Sequence, residues 1–302
     1  MGNGPDIMIC VGATKAGTTW LHDQLSAHPE CYLRTIKEYH YFSTNGDAQW
    51  AKLIGDTRAE IEQLSGLPDG ALTEALRQRL DDLTSYLPLI TSREIDPVAF
   101  GDYLRRSAPQ GAKLVGDFTP AYSVIARKRL EPMLKMGALR VVYLIRDPLT
   151  RLWSHIRMIA DRAAPENFER GCEAMLARAF VQQDDGDIRG ILRRGDYAGN
   201  LPKLQNLFGD RLLVMFTEDL FTKAGFDRML AFLGLGPAAV DLGRRVHEGR
   251  GHRMPEDLRA RALQFLAPQY DYIAQTFSPL PQLWRDHMME MTQDSLAQKV
   301  LT

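Results

Sequence analysis

The sequence has 302 residues, of which 45% are hydrophobic and 25% charged, and its formal net charge is −1 at pH 7. These proportions are typical of a globular protein and exclude a disordered chain, a collagen-like repeat and a coiled coil. A net charge near zero argues against binding nucleic acid over a broad surface, but it leaves room for a local anion-binding pocket.

The cysteines and the N-terminal residues indicate in which cellular compartment the protein is expected. Cys10, Cys31 and Cys172 cannot all pair, and no two of them form a C-x-x-C motif, so we expect a reducing compartment without disulfides or a cysteine zinc site. The first residues lack the basic stretch and long apolar run of a signal peptide. No apolar run approaches the roughly 20 residues that span a bilayer. These features predict a cytoplasmic protein with no membrane span.

Short apolar runs alternate with longer helical patterns along the chain. The predicted strands are 7–11, 31–33 (a short one), 113–116, 139–145 and 211–216. The predicted helices are 18–27, 123–135, 148–159, 200–208 and 226–233. The strand segments are apolar almost throughout, as parallel strands covered on both faces usually are. This alternation predicts one domain over residues 1–302, a three-layer α/β/α sandwich with a central parallel sheet.

Two segments are too long to be bare connections, namely 45–110 and 161–195. The first contains helical stretches at 73–83 and 97–106, and the second is helical and polar. We expect both to be helical insertions over an edge of the sheet, serving either as a lid or acceptor wall or only as extra packing helices. From Pro255 onward the pattern is helical, with breaks expected at Pro268, Pro279 and Pro281.

A glycine loop joins the first predicted strand to the first predicted helix. It reads GATKAGTTW over residues 12–20, so backbone N–H groups and the helix dipole should converge on an anion. The spacing departs from the kinase pattern G-x-x-x-x-G-K-[ST], because Thr18 occupies the lysine position and Lys15 lies at the crest of the loop. The alternative is a tight turn with chance glycines, and the combination of Lys15, Thr18 and Thr19 argues against it.

The fourth predicted strand ends in Arg146-Asp147-Pro148, and Ser154 lies about two turns into the following helix. A magnesium-dependent NTPase needs an aspartate at such a strand end to help hold the ion. An arginine suits a second anion instead, because its planar fork can grip a phosphate with two hydrogen bonds. We therefore expect a P-loop-like fold with two separate anion sites.

These motifs resemble those of the sulfotransferases that use 3′-phosphoadenosine 5′-phosphosulfate (PAPS), in their bacterial and carbohydrate-specific branch. KAGTTW at 15–20 resembles the 5′-phosphosulfate loop of the family, and RDP at 146–148 with Ser154 resembles its 3′-phosphate motif. Residues 195–220 resemble the GxY…EDL block, 249–252 the late glycine-basic loop, and 116–122 the GEKTPAY stretch. The resemblance covers residues 7–43, 113–158 and 195–252.

The resemblance implies a metal-independent sulfotransferase with PAPS as donor and the bisphosphate PAP as product. Trp20 would stack on adenine, and Tyr197 would contact it. The residues that match the cofactor motifs are Lys15, Ala16, Gly17, Thr18, Thr19, Trp20, Arg146, Ser154, Tyr197, Gly249, Arg250 and Gly251. Glu248 stands where heparan-type members often have lysine, which shifts weight to Arg250. Phe118 replaces the lysine of GEKTPAY, which disfavours an acceptor with many negative charges.

The segment TIKEYHYF at 35–42 resembles K-E-x-H-[FY]-F, in which glycan sulfotransferases place their catalytic glutamate. The resemblance implies Glu38 as the base that accepts the proton of the attacking hydroxyl or amine, with Lys15 stabilising charge at the sulfuryl group. His40 is the competing base, since its unperturbed pKa lies near working pH. The alternatives are a salt bridge from Glu38 to Lys37 or to another neighbour, and a buried structural role for His40.

Other functions remain as alternatives to a sulfotransferase. A P-loop kinase for small molecules would need a lysine at position 18 and an aspartate at position 146. A non-catalytic nucleotide-binding protein would bind PAP without transferring sulfate. For the enzyme, the expected partner is a carbohydrate, lipid or small-molecule acceptor, and no nucleic acid.

Overall fold

Five parallel strands form the central sheet of this computed structural model, which describes residues 4–243 and 249–301. The strands are β1 Asp6–Gly12, β2 Cys31–Tyr32, β3 Leu114–Phe118, β4 Leu139–Ile145 and β5 Leu212–Phe216. Their order across the sheet is β2-β3-β1-β4-β5. The central strands are buried on both faces, which explains why their sequences are apolar throughout. The predicted three-layer α/β/α fold is confirmed.

Helices cover the sheet and extend beyond it. They are α1 Thr18–Ser26, α2 Gly46–Ser65, α3 Glu74–Thr91, α4 Pro97–Arg105, α5 Arg127–Leu130, α6 Pro148–Ala163, α7 Phe168–Val181, α8 Gly186–Arg193, α9 Tyr197–Phe208, α10 Thr217–Leu220, α11 Lys223–Leu233, α12 Glu256–Thr276 and α13 Gln282–Leu301. Short 3-10 helices lie at Asp69–Ala71, Pro120–Val124, Glu131–Lys135, Pro165–Asn167 and Gly209–Arg211. Among these described helices, none is long and apolar enough to cross a membrane.

The first insertion consists of α2, α3 and α4, between the edge strand β2 and β3. Its helix α3 is tied to the chain just after β2 by a buried ion pair, in which Arg34 Nη1 lies 2.5 Å from Asp82 Oδ1. The same carboxylate accepts hydrogen bonds from the backbone and hydroxyl of Thr35, both at 2.7 Å. Since charges buried this way need such partners, the insertion is fixed next to the segment that carries the candidate base.

Two sequence predictions about helix continuity were wrong. The stretch 123–135 is not one helix but a succession of 3-10 and α turns. Pro132 has no N–H and its ring clashes with the preceding turn, which disfavours an uninterrupted helix there. Conversely, Pro268 does not end a helix but lies inside α12, where buried neighbours such as Leu263 and Tyr270 hold the helix together across the missing hydrogen bond.

Candidate active site

The two predicted anion sites lie side by side in the sheet. The glycine loop follows β1, and Arg146 follows β4, which is the immediate neighbour of β1. From β1 the chain moves first to one side of the sheet, through β2 and β3, and then to the other, through β4 and β5. In open α/β sheets such a reversal opens a crevice at the carboxyl ends of the strands, where ligands bind.

The glycine loop is held in a curled conformation. Gly17, the N-cap of α1, has a φ of +86°, and Lys15 has a φ of +69°, which is unusual for a residue with a Cβ. The hydroxyl of Thr217 lies 2.8 Å from the carbonyl oxygen of Ala16 and 3.1 Å from that of Ile145. Thr217 therefore joins the loop to the end of β4. The first N–H groups of α1 have no partner within the helix and are available to an anion.

Arg146 reaches the glycine loop directly. Its Nη1 donates a hydrogen bond of 3.1 Å to the carbonyl oxygen of Lys15. Its main chain is held by the buried Tyr197, whose hydroxyl donates to the Arg146 carbonyl at 2.6 Å and accepts from the Arg146 N–H at 3.1 Å. The guanidinium is therefore directed towards the loop, and the two predicted sites form one positively charged surface.

Cations predominate around Lys15. Burial lowers the pKa of Lys15, and the charged neighbours that lower it further are Arg146, Arg157, Arg162 and Lys37. Among the described residues, none of these neighbours forms a salt bridge with a carboxylate. A group of cations without internal counter-charges is unfavourable unless an anion binds there. The electrostatics therefore favour a ligand with several negative charges.

The two aromatic residues expected to contact adenine are both buried. The Trp20 indole is 3% exposed and packs edge-on against Phe221 and Phe226, with ring centroids 5.0 and 5.7 Å away. Tyr197 is fully buried, so no ring face supports its assignment to adenine, and the structure gives it the role of holding Arg146. Phe221, which the sequence analysis missed, is 41% exposed beside Gly17 and is the accessible ring at this edge of the loop.

The other residues predicted to contact phosphate differ in whether their side chains are available to a ligand. Ser154 is half-buried on α6, and its hydroxyl has no hydrogen-bond partner among the described residues. Arg250 directs its guanidinium away, onto the Phe168 ring at 4.7 Å and the Pro165 carbonyl at 2.5 Å. Its own carbonyl accepts from Arg157, so Arg157 is the side chain that links the 249–251 loop to the cations near Lys15. Glu248 lies outside the described residues.

The two candidate bases meet in a strained segment after β2. His40 Nε2 lies 3.6 Å from Glu38 Oε2, and the side chains are 42% and 44% exposed, respectively. Both residues have positive φ angles, +64° for Glu38 and +57° for His40. Burial lowers the pKa of His40, with Arg194 acting in the same direction and Glu38 opposing it. Among the described residues, the side chain paired with Glu38 is thus His40, a neighbour as the alternative allowed, and the salt bridge with Lys37 is not formed.

Two further residues near the bases were missed by the sequence analysis. Lys37 donates a hydrogen bond from Nζ to the hydroxyl of Thr19, at the start of α1. Asp117 is fully buried at the end of β3 and accepts from the hydroxyls of Thr119 and Tyr122, at 2.6 and 2.8 Å. Burial raises the pKa of Asp117 to about 7, and the nearby charge of Glu38 adds to this. A charged residue at the end of a buried strand was the available signal for Asp117.

The insertion contributes a wall beside the candidate base. A cavity of about 150 Å³ is bordered by Lys37 and Glu38 on one side and by residues of α2 and α3, including Leu53 and Leu83, on the other. The cavity combines apolar surface with the candidate base. The cavity leaves room for a small group of a ligand next to Glu38.

Comparisons with known proteins identify the fold. No family model matches the chain, and no curated protein matches it. Among solved structures, a sulfotransferase from Alicyclobacillus acidocaldarius superposes with a TM-score of 0.59 at 20% sequence identity, over 94% of this chain and 100% of that one. The sulfotransferase domain of the Synechococcus PCC 7002 olefin synthase gives a TM-score of 0.49 at 15% identity, over 97% and 96%. At this identity, the first likeness establishes a shared fold.

Proposed function

We propose that this protein is a sulfotransferase that moves the sulfuryl group of PAPS to a hydroxyl or amine of a carbohydrate, lipid or small-molecule acceptor. The observation that carries the proposal is the hydrogen bond between Arg146 and the carbonyl of Lys15. It supports the proposal because Arg146, the candidate for the 3′-phosphate, contacts the glycine loop, the candidate for the 5′ end, as a nucleotide with phosphates on both positions requires. The free thiols Cys10, Cys31 and Cys172 fit a reducing, cytoplasmic location.

The residues present fit PAPS. The 5′ end would be held by Lys15, Thr18, Thr19 and the N–H groups at the start of α1, and the 3′-phosphate by Arg146 and Ser154. The hydroxyl of Ser154, which has no partner in the described part of the chain, and the cations around Lys15 support this assignment. When bound, PAPS supplies an activated sulfuryl group attached to a good leaving group.

The chain itself supplies the proton acceptor and the stabilising charge. Glu38 is assigned as the base, because its carboxylate is accessible beside the cavity. His40 accompanies it as a neutral imidazole, since burial disfavours its charged form. Lys15 and the loop N–H groups are assigned the stabilisation of negative charge as it develops, which preorganised donors provide without reorganisation.

Nucleotide titrations test the proposal. We expect the wild-type protein to bind PAP more tightly than AMP, because AMP lacks the 3′-phosphate, and more tightly than ATP with magnesium. Arg146→Ala should weaken PAP by about tenfold or more while changing AMP little, since a charge-assisted hydrogen bond is lost only for PAP. Equal weakening of both ligands would contradict the role of Arg146, and preference for ATP with magnesium would favour a kinase.

A second measurement separates an enzyme from a binding protein. Protein loaded with PAPS labelled on sulfur should transfer the label to members of a mixed panel of sugars, phenols and amines. PAP binding without any transfer to such a panel, or to water, would support the non-catalytic alternative. Loss of transfer in Glu38→Gln with PAP binding retained would locate the chemistry beside the cavity.

A further inference from the structure

Lys37 occupies an unusual position between the candidate base and the glycine loop. It follows Arg34 and Thr35, which are fixed to Asp82, and its Nζ donates to the hydroxyl of Thr19 in the first turn of α1. The next residue along the chain is the candidate base. One lysine therefore connects the segment after β2 to the loop after β1.

The charge of Lys37 is not neutralised within the described part of the protein. Its side chain is half-buried, its described hydrogen-bond partner is a neutral hydroxyl, and it forms no salt bridge there with Glu38 or any other described carboxylate. Burial lowers its pKa, and the charges of Glu38 and Asp23 oppose that effect. Holding a partly desolvated ammonium against a hydroxyl is unfavourable unless an anion arrives to pair with it.

The family motif GEKTPAY contains a lysine that this sequence lacks, and Lys37 can supply the missing positive charge. Phe118 stands where GEKTPAY has lysine, and the ring of His22 packs edge-on against it at 5.0 Å. That position therefore presents no cation. Lys37 lies on the same side of the loop as Glu38, whereas Arg146 approaches the loop from β4 on the other side.

We propose that Lys37 is a second catalytic cation, which binds the non-bridging oxygens of the sulfuryl group on the acceptor side while Lys15 acts from the loop. The inference rests on the proposed function. In the transfer, a bond forms between the acceptor oxygen or nitrogen and sulfur as the bond from sulfur to the phosphate oxygen breaks. The electron pair of the broken bond stays on that phosphate oxygen, the acceptor proton goes to Glu38, and Lys37 keeps its own protons.

Binding measurements with PAP and PAPS test this role without an acceptor. PAP lacks the sulfuryl group, so Lys37→Met should leave the PAP dissociation constant within about twofold and weaken PAPS by about tenfold. Lys37→Arg should recover most of the loss, because it restores the charge. Lys113→Met is the matched control, since it removes a lysine that is paired with Glu30 at 2.6 Å near the start of β3 and should change neither constant.

The outcomes separate this inference from the proposed function. If the wild-type protein binds neither PAP nor PAPS, the proposed function fails. If the wild-type protein binds both and Lys37→Met leaves the ratio of the two constants unchanged, the proposed function stands and the role of Lys37 is refuted. Retained PAP binding in Lys37→Met also shows that the variant is folded, so a selective loss of PAPS cannot be attributed to unfolding.

Discussion

The positive φ angles of Glu38 and His40 are maintained by the residues beneath them. Asp117 accepts hydrogen bonds from the Thr119 and Tyr122 hydroxyls, and the Thr119 oxygen in turn accepts from the His40 N–H at 3.4 Å. The hydroxyl of Tyr86 donates to the carbonyl of Tyr39 at 2.8 Å, between the two strained residues. Backbone strain of this kind costs about 1–3 kcal/mol per residue and persists only where the surroundings enforce it. It fixes the direction of both candidate bases.

At Glu38, the expected effect of substitution is on turnover and not on nucleotide binding. Glu38→Gln should lower the rate of sulfuryl transfer by about 100-fold, the usual size of a general-base contribution, and leave PAP affinity nearly unchanged. Steady-state rates and PAP titrations on the same preparation check this. If Glu38→Gln keeps its activity and His40→Ala loses it, the base is His40.

At Asp117, the raised pKa predicts a pH-dependent stability. The carboxyl has a pKa of about 7 when folded and near 3.8 when unfolded, so its contribution to stability is fully present below pH 3.8 and is lost as the pH rises to about 7. Asp117→Asn cannot ionise, so the wild-type advantage over this variant should shrink between pH 4 and 7. Urea unfolding of both proteins across that range measures the difference in their unfolding free energies. A difference that stays constant with pH would exclude the effect.

Among the elements, the glycine loop depends most on one backbone position. A Cβ on Gly17 would lie 3.2 Å from Thr217 Cγ2 and 3.3 Å from the Phe221 ring, at a φ of +86°. Gly17→Ala should therefore lose about 1–2 kcal/mol of unfolding free energy and also weaken PAP binding. Gly46→Ala is the control, because Gly46 also has a positive φ, +75°, but no atoms crowd its Cβ position. Gly46→Ala should lose stability but keep its affinity for PAP, and chemical denaturation and PAP titration measure the two effects. Unaltered PAP binding in Gly17→Ala would contradict the assignment of the loop.

The strands were predictable because a strand that is buried on both faces has apolar residues at nearly every position. β4 was predicted at its observed bounds, and β1 and β5 to within a residue at each end. Helix α2 escaped prediction, since it buries only a few positions, among them Trp50 and Ile54, along an otherwise polar surface. Its existence depends on packing against α3, which no local pattern reveals.

The candidate site was predictable in part for a similar reason. Lys15 and Arg146 follow buried strands directly, so the strand order brings them together once the strands are identified. Lys37 and Arg157 belong to segments whose direction is set by distant contacts, such as the Arg34–Asp82 ion pair and the 249–251 loop. Trp20 matches a motif, but its burial depends on Phe221 and Phe226, about 200 residues away in the chain.

At the scale of the whole molecule, the C-terminal helices support the turn that carries Arg146. Asp147, next to Arg146, is fully buried and accepts from the Tyr270 hydroxyl of α12 at 2.6 Å, while His287 Nδ1 of α13 lies 2.8 Å away. The other oxygen of Asp147 accepts from the Thr150 N–H and begins α6. A segment more than 120 residues away thus determines the position of Arg146.

Removing one of these hydroxyls should affect both stability and binding. Tyr270→Phe removes one of the two partners of Asp147 Oδ2 and leaves that buried oxygen with His287 alone, so we expect a loss of about 1–3 kcal/mol in unfolding free energy and a severalfold weaker PAP complex. Tyr272→Phe on the same helix is the control, because its hydroxyl has no partner among the described residues. Thermal unfolding and PAP titration of the two variants compare them; identical behaviour would mean that Tyr270 does not support the turn.

The hydrogen bond from Arg146 to Lys15 joins positions 131 residues apart in the chain. A bisphosphate that occupies both sites would therefore link the half of the sheet that ends at β1 to the half that begins at β4. Local unfolding of either half would require the ligand to dissociate. Amide hydrogen exchange should therefore slow together at the starts of α1 and α6 when PAP is added. The same ligand that carries the chemistry would then also protect the protein that holds it against proteolysis.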